Sequence, residues 1–246
     1  MFKWLYSGSA STAAMNAGMK NIRSQFCEML DASRRAFQLA ADAYLRYEDA
    51  EAVRAELFAL DKSINKSERT IRKELVIHTT VRGTADFDQC LIMMSIVKDG
   101  ERLGDIAKNI YDLTVSAPDV PDGITKGKLE MVKNAILALI DHCRHIFDSQ
   151  DEQMATELIC QAAAIEDTCD QQIYWFLAEK TDNERIDVAY TLAFRYFKRY
   201  ASHVRNIASS IVQPVHKLDF TGKIVKNNPH SLDLLNELPK EENKEK

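Results

Sequence analysis

The sequence predicts an all-α protein: two tandem three-helix bundles, with six long antiparallel helices that arose by internal duplication. Three observations predict this fold class. Apolar side chains recur every three or four residues from residue 19 onward, which is the spacing of a helix that faces a core. Only 8 of the 246 residues are Gly and 5 are Pro, so long segments contain no helix breaker. A turn-rich stretch at residues 116–123 divides the chain, and the helical pattern restarts after it.

The first half contains three helical segments. The apolar positions of the first segment are Ile22, Phe26, Met29, Phe37, Ala40, Tyr44 and Tyr47. Those of the second are Val53, Leu57, Leu60, Ile64, Ile71 and Leu75. The third segment runs from about Thr84 to Val115, and we expect Gly83 to provide the break and Thr84 the N-cap.

The second half repeats this arrangement. The fourth segment carries Leu129, Val132, Ile136, Leu139, Cys143 and Ile146. The fifth carries Leu158, Ala162, Ile165, Cys169, Ile173 and Phe176. The sixth carries Ile186, Tyr190, Phe197, Tyr200, Val204, Ile207 and Ile211, and Pro214 ends it. The resulting parts are a flexible N-terminal segment (1–16), a first bundle (17–117), a second bundle (122–213) and a C-terminal extension (214–246) that we expect to be disordered at its charged end.

A direct comparison of the two halves supports the duplication. Residues 101–110 match residues 198–207 at an Arg, at a small residue and at a closing Asn-Ile pair. The small residues are Gly104 and Ala201, and both fall inside a helix, where Gly usually costs about 1 kcal/mol relative to Ala. We therefore predict a close helix–helix crossing at both positions.

The composition excludes several classes of protein. The net charge of −5 argues against a nucleic-acid binder, which needs a basic surplus to displace counterions from phosphates. The five cysteines contain no CxxC pair and lie among apolar residues, which indicates buried free thiols in a reducing cytoplasm. The apolar runs fall short of the ~20 residues of a membrane span. The segment that begins Phe2-Lys3-Trp4 suggests a peripheral membrane contact, or a segment that folds back onto the bundle.

Two pairs of carboxylates are candidates for a functional site. Glu101 and Asp105 are four residues apart on the third helix, and Glu166 and Asp170 repeat this spacing on the fifth. Like charges at this spacing destabilise a helix unless a cation lies between them. A hard metal ion with oxygen ligands would satisfy this need, and so would a Lys or Arg from a neighbouring helix.

Residues 98–110, with the sequence KDGERLGDIAKNI, resemble the signature helix of the PhoU family, D-x-E-R-I-G-D-x-A-x-N-I. The resemblance implies a non-enzymatic cytoplasmic regulator of phosphate uptake and phosphate-starvation signalling, placed between a phosphate transporter and a sensor histidine kinase. It also implies iron or zinc, with manganese as an alternative, on E(D)xxxD motifs. The implied metal ligands in this chain are Asp61, Glu101, Asp105, Glu166 and Asp170.

The sequence departs from the family pattern at several of these positions. Lys198 and Ser202 stand where the sixth helix should carry Glu and Asp, and Leu57 replaces an acidic partner of Asp61. We therefore expect the second-repeat metal site to be degenerate, with Lys198 forming an ion pair with Glu166 or Asp170.

Alternative functions are less well supported by the sequence. A di-metal carboxylate enzyme would supply Glu-x-x-His motifs, and none is present. An accessory protein of a low-affinity phosphate permease would have a similar helical layout. His142 and His145 are three residues apart and could bind a transition metal, although a solvated helix face accounts for them better. The sequence leaves open whether the protein forms a homodimer.

Overall fold

A computed structural model describes residues 12–117, 121, 123–178 and 183–228, and it confirms the predicted fold class. Over these residues the chain forms seven α-helices, one short 3-10 helix and no strand. The helices are α1 (Thr12–Tyr44), α2 (Ala50–Arg82), α3 (Phe87–Ser116), α4 (Ile124–Ser149), α5 (Glu152–Ala178), α6 (Glu184–Val212) and α7 (Gly222–Asn227). Helices α1–α3 form the first bundle and α4–α6 the second.

The ends of the chain fall partly outside the described residues. α1 begins at Thr12, inside the segment 1–16 that the sequence assigns to a flexible N-terminus. The proposed membrane contact at Phe2 and Trp4 lies outside the described residues, as does the charged end of the chain. The C-terminal extension starts with the 3-10 helix Val215–Lys217 and continues into α7, which packs against α5.

The junction between α2 and α3 differs from the prediction. Gly83 ends α2 with a φ of 64°, a backbone conformation that glycine adopts without steric cost. The predicted N-cap at Thr84 is wrong, because α3 begins at Phe87, after Asp86. The Asp86 side chain does not cap α3, since its Oδ2 atom lies 2.8 Å from Nε2 of His78 on α2. The junction is therefore fixed by a contact between two helices that the local sequence does not show.

The two bundles share one hydrophobic core. α3 packs against α6, and α1 packs against α4. The Phe37 ring on α1 lies 5.3 Å from the Phe197 ring and 4.4 Å from the Tyr200 ring, both on α6. Phe26 on α1 contacts Phe147 on α4 in the same way, with ring centroids 4.9 Å apart. The apolar face of α1 therefore packs against helices of both bundles.

Polar pairs at the edge of this interface set its register. Lys133 on α4 donates to Asp42 on α1 at 2.7 Å, and the exposed fractions of the two side chains are only 12% and 18%. Asp99 on α3 accepts hydrogen bonds from His203 Nδ1 at 2.7 Å and from Asn206 Nδ2 at 3.0 Å, both on α6. Removing one partner of such a shielded pair would leave a charge without compensation. The pairs therefore favour one alignment of the bundles over shifted ones.

The predicted close helix crossing is confirmed at Gly104. A Cβ atom at this position would lie 3.0 Å from Cδ1 and 3.3 Å from Cγ2 of Ile64 on α2. Ala201, the matching residue of the second repeat, is fully buried. Gly104 therefore lets α3 approach α2 more closely than a larger residue would allow.

All five cysteines are buried and free, as predicted. Burial raises the pKa of Cys27 to about 11, with a smaller opposing effect from Arg144. Burial also raises the pKa of Cys143 to about 12. These thiols act as core residues, because a buried thiol at such a pKa supplies almost no thiolate near neutral pH. None of the helices among the described residues is long and apolar enough to cross a membrane.

Candidate functional site: two ion-paired helix seams

The first candidate site is a row of alternating charges where α2 meets α3, which we call the α2–α3 seam. Its members are Asp61 and Glu68 on α2, with Lys98, Glu101, Asp105 and Lys108 on α3. Spacings of seven residues on α2, and of three and four on α3, place each set on one helix face. Because the two helices are antiparallel, the late part of α3 lies beside the early part of α2.

Lys108 joins the two helices at one end of this seam. Its Nζ atom lies 2.9 Å from Oδ1 of Asp61 and 3.4 Å from Oδ1 of Asp105. Burial lowers the pKa of Lys108, but hydrogen bonds and charge attraction from Asp61 and Asp105 outweigh it, so the pKa is raised above 10.5. The side chain is therefore a permanent ammonium at neutral pH, held between two of the predicted metal ligands.

Lys98 performs the same role at the other end. Its Nζ atom lies 2.7 Å from Oε2 of Glu101 and 3.7 Å from Oε1 of Glu68. Glu68 also pairs with Arg72, one turn further along α2, at 3.0 Å. Both glutamates are buried, with exposed fractions of 7% for Glu68 and 8% for Glu101. A carboxylate so poorly solvated requires a cation beside it, and both Glu68 and Glu101 have such a partner.

The second candidate site is the corresponding row of charges between α5 and α6, the α5–α6 seam. Lys198 on α6 donates to Oδ2 of Asp170 on α5 in a short ion pair, and this confirms the predicted pairing. Arg205, also on α6, lies with Nε 3.2 Å from Oε1 of Glu166. Two basic side chains of α6 are therefore paired with the acidic face of α5, and His203 is paired with Asp99 of α3.

A polar cavity of about 420 Å³ opens beside the α2–α3 seam. Its walls include Arg102, Asp105, Lys108 and Asn109 of α3 and Arg199 of α6. The cavity places the seam in contact with solvent on the side of the second bundle. Asp105 and Lys108 of the seam are therefore reachable from outside the protein.

Comparison with known proteins shows what this arrangement resembles. Residues 26–114 match the family model of the PhoU domain, so the match includes the whole α2–α3 seam. Over these residues the match confirms the resemblance to the PhoU family that residues 98–110 indicate. No curated protein matches the sequence.

Solved PhoU structures share the fold of both bundles. One is PhoU from Pseudomonas aeruginosa, with 20% sequence identity and a TM-score of 0.69, in a superposition that covers 80% of this chain and 96% of that one. Another is the phosphate transport system regulatory protein PhoU from Streptococcus pneumoniae, with 15% identity, a TM-score of 0.69, and coverage of 80% and 95%. At these identities the similarity shows the fold alone.

The PhoU resemblance implies metal on Asp61, Glu101, Asp105, Glu166 and Asp170, and iron or zinc at these residues stays a prediction. Asp61 and Asp105 come together, but around the ammonium of Lys108. Among the described residues no three His, Cys, Asp or Glu side chains are arranged to hold a metal ion. His142 and His145 are both exposed on α4, and their neighbour Asp141 pairs with Arg34 at 2.6 Å. The carboxylates of the two seams therefore do not fit a metal cluster unless their ion pairs break.

Sequence reasoning missed three members of the first seam. Glu68, Lys98 and Lys108 were not among the predicted site residues, although a signal for the two lysines existed. Lys98 and Lys108 lie three residues before Glu101 and three residues after Asp105, so all four share one helix face. Continuing the helical spacing outward from the carboxylate pair would have found both cations.

The ionisation of Glu166 gives a prediction for the pH dependence of stability. Burial raises its pKa from 4.5 to about 7, although Arg205 and Lys198 partly oppose this. The folded state therefore holds a proton that the unfolded state has released between pH 4.5 and 7. Because the folded pKa is raised, the stabilisation is complete below pH 4.5 and is lost as the pH rises through 7, by on the order of 1–3 kcal/mol.

The test is urea unfolding of Glu166→Gln and wild type at several values between pH 4.5 and 7. The free energy of unfolding of wild type should fall relative to the variant as the pH rises. Glu157→Gln, at an exposed site on the same helix, is the control and should show the wild-type pH dependence. Parallel profiles for Glu166→Gln and wild type would mean that Glu166 is already ionised at the low end of this range.

Proposed function

We propose that the protein regulates phosphate uptake and phosphate-starvation signalling, as a non-enzymatic adaptor inside the cell between a phosphate transporter and a sensor kinase. The observation that supports this most strongly is the PhoU domain match over residues 26–114, which includes the signature helix α3. One of the structures with the same fold is a phosphate transport system regulatory protein. Both bundles take part in that similarity, since it covers 80% of the chain.

The chemistry of the seams is consistent with an adaptor. The carboxylates that a di-metal enzyme would use are held in ion pairs with lysine and arginine. A surface of this kind can recognise a partner through charge, which sets specificity and the rate of association more than affinity. The polar cavity beside Lys108 gives a partner's side chains access to these charges.

The experiment is deletion of the gene in its native host, with growth in high phosphate. We expect a phosphate-starvation reporter, such as alkaline phosphatase, to become active despite the phosphate, because the restraint on the sensor kinase is lost. A plasmid copy of the wild-type gene should restore repression. Repression that persists without the gene would contradict the proposal.

Affinity capture separates this function from the permease alternative. The tagged full-length protein is cross-linked in cells grown in high phosphate and isolated from detergent-solubilised membranes. We expect a subunit of a phosphate transporter and the sensor kinase among the captured proteins. Capture of a low-affinity permease alone, together with altered uptake and an unchanged reporter, would support the permease accessory instead.

A further inference from the structure

The two seams place an ammonium group at equivalent positions of the two repeats. In the first repeat Lys108 lies 2.9 Å from Asp61, and in the second Lys198 binds Asp170. Asp61 and Asp170 correspond, because residues 61–64 align with residues 170–173 at an Asp and a closing Ile. The aspartate in the second helix of each bundle therefore receives a cation from the third helix.

The two lysines do not occupy equivalent places in the third helix. Lys198 aligns with Glu101, and Lys108 aligns with Arg205. The two pairings therefore are not copies of one pair that was present before the duplication. The two repeats share a cation beside this aspartate, but the lysine that supplies it stands at a different position of the third helix in each repeat.

Each carboxylate of the two seams contacts a basic side chain. In the α2–α3 seam four carboxylates contact four cations, which are Arg72, Lys98, Arg102 and Lys108. In the α5–α6 seam, Glu166 and Asp170 contact Arg205 and Lys198. Carboxylate ligands attract a multivalent cation through their negative charge, and an ammonium in the same place neutralises that charge and repels the ion.

We propose that Lys108 and Lys198 are internal cations that hold α2 to α3 and α5 to α6 in place of metal ions. The protein then assembles without metal, and its two seams exclude iron, zinc and manganese. Removing either lysine opens a carboxylate site for a divalent cation. This inference concerns the state of the protein itself and does not depend on the proposed role in phosphate signalling.

The first test compares the wild type with Lys108→Ala, as full-length proteins stripped with a chelator and then titrated with ZnCl₂ or MnCl₂. The variant should bind at least one equivalent about tenfold more tightly than the wild type, because one positive charge has left the site. Lys62→Ala is the matched control, since it removes an exposed lysine adjacent in sequence to Asp61 and should bind as the wild type does. Adding Asp61→Asn to Lys108→Ala should abolish the gain.

The second test uses Lys198→Glu, which adds a third carboxylate to the α5–α6 seam. This variant should also gain a divalent site, and its melting temperature should rise with ZnCl₂ while that of the wild type stays constant. A variant that unfolds without metal and refolds with it would support the proposal equally. Stoichiometric metal in the wild type as purified, or folded lysine variants with no gain, would overturn it. So would variants that ZnCl₂ fails to refold, because the lysine would then not be standing in for a metal.

Discussion

We expect Phe37→Ala to lower the free energy of unfolding by about 3–5 kcal/mol, the usual cost of removing a fully buried phenylalanine. The ring is completely buried and contacts Phe197 and Tyr200 across the interface between the bundles. Its loss leaves a cavity between α1 and α6, and we expect the neighbouring side chains to move too little to fill it. Urea unfolding followed by circular dichroism measures the effect.

Phe220→Ala is the matched control, because this ring is 79% exposed and its removal should change stability by less than about 0.5 kcal/mol. Helical signal and tryptophan fluorescence should change together in Phe37→Ala, since both bundles use the same core. A loss below about 1 kcal/mol would show that the bundles separate easily and that Phe37 is not part of a shared core.

Gly104→Val should also destabilise the protein, by about 1–3 kcal/mol, which is typical of an overpacked core. Valine is a slightly better helix former than glycine, so the change would make α3 more stable if the helix were isolated. The new side chain would nevertheless meet Ile64 on α2, whose Cδ1 atom is 3.0 Å from the position of a Cβ. Thermal and urea unfolding of the purified variant measure the balance.

Gly127→Val tests the same chemical change at a site on α4 where a Cβ would meet nothing within 4 Å apart from the backbone of its own helix, and it should be nearly neutral. A second change, Ile64→Ala, should be less harmful in the Gly104→Val background than alone, because it removes the atoms that clash. If the two changes instead added independently, Gly104 would not be limited by its contact with Ile64.

The helical spacing was enough to predict the fold, because the apolar positions of each amphipathic segment show which face of the helix is buried. The comparison of the two halves predicted the crossing at Gly104, since a glycine weakens a helix and close packing against a neighbouring helix offsets that cost. The family pattern predicted an ion pair of Lys198 with Glu166 or Asp170, because a lysine stands where the pattern has an acid, and the partner is Asp170. These inferences needed only the periodicity of one helix, the alignment of two repeats or the family pattern.

The Lys108–Asp61 pair and the α2–α3 junction depend on how two helices align along their lengths. The pattern of a single helix does not contain this information. From the sequence, Lys62, Lys66 or Lys98 could equally have been the cation beside Asp61. Lys108 pairs with Asp61 because the lengthwise alignment of α2 and α3 brings these two residues together. α3 begins at Phe87 and not after Thr84, and Asp86, the residue before it, bonds to His78 on α2 and does not cap the helix. Both outcomes follow from distances between helices that are fixed by packing elsewhere in the core.

The face of α1 that packs against the second bundle limits how far the protein could be truncated. A protein that ended after α3 would keep the whole region matched by the PhoU family model, residues 26–114. It would also expose Phe26 and Phe37 to water, together with the surface of α3 that α6 covers. An exposed apolar face of this size promotes aggregation, so a single-repeat fragment would have to be redesigned on α1 before it could serve as a soluble module.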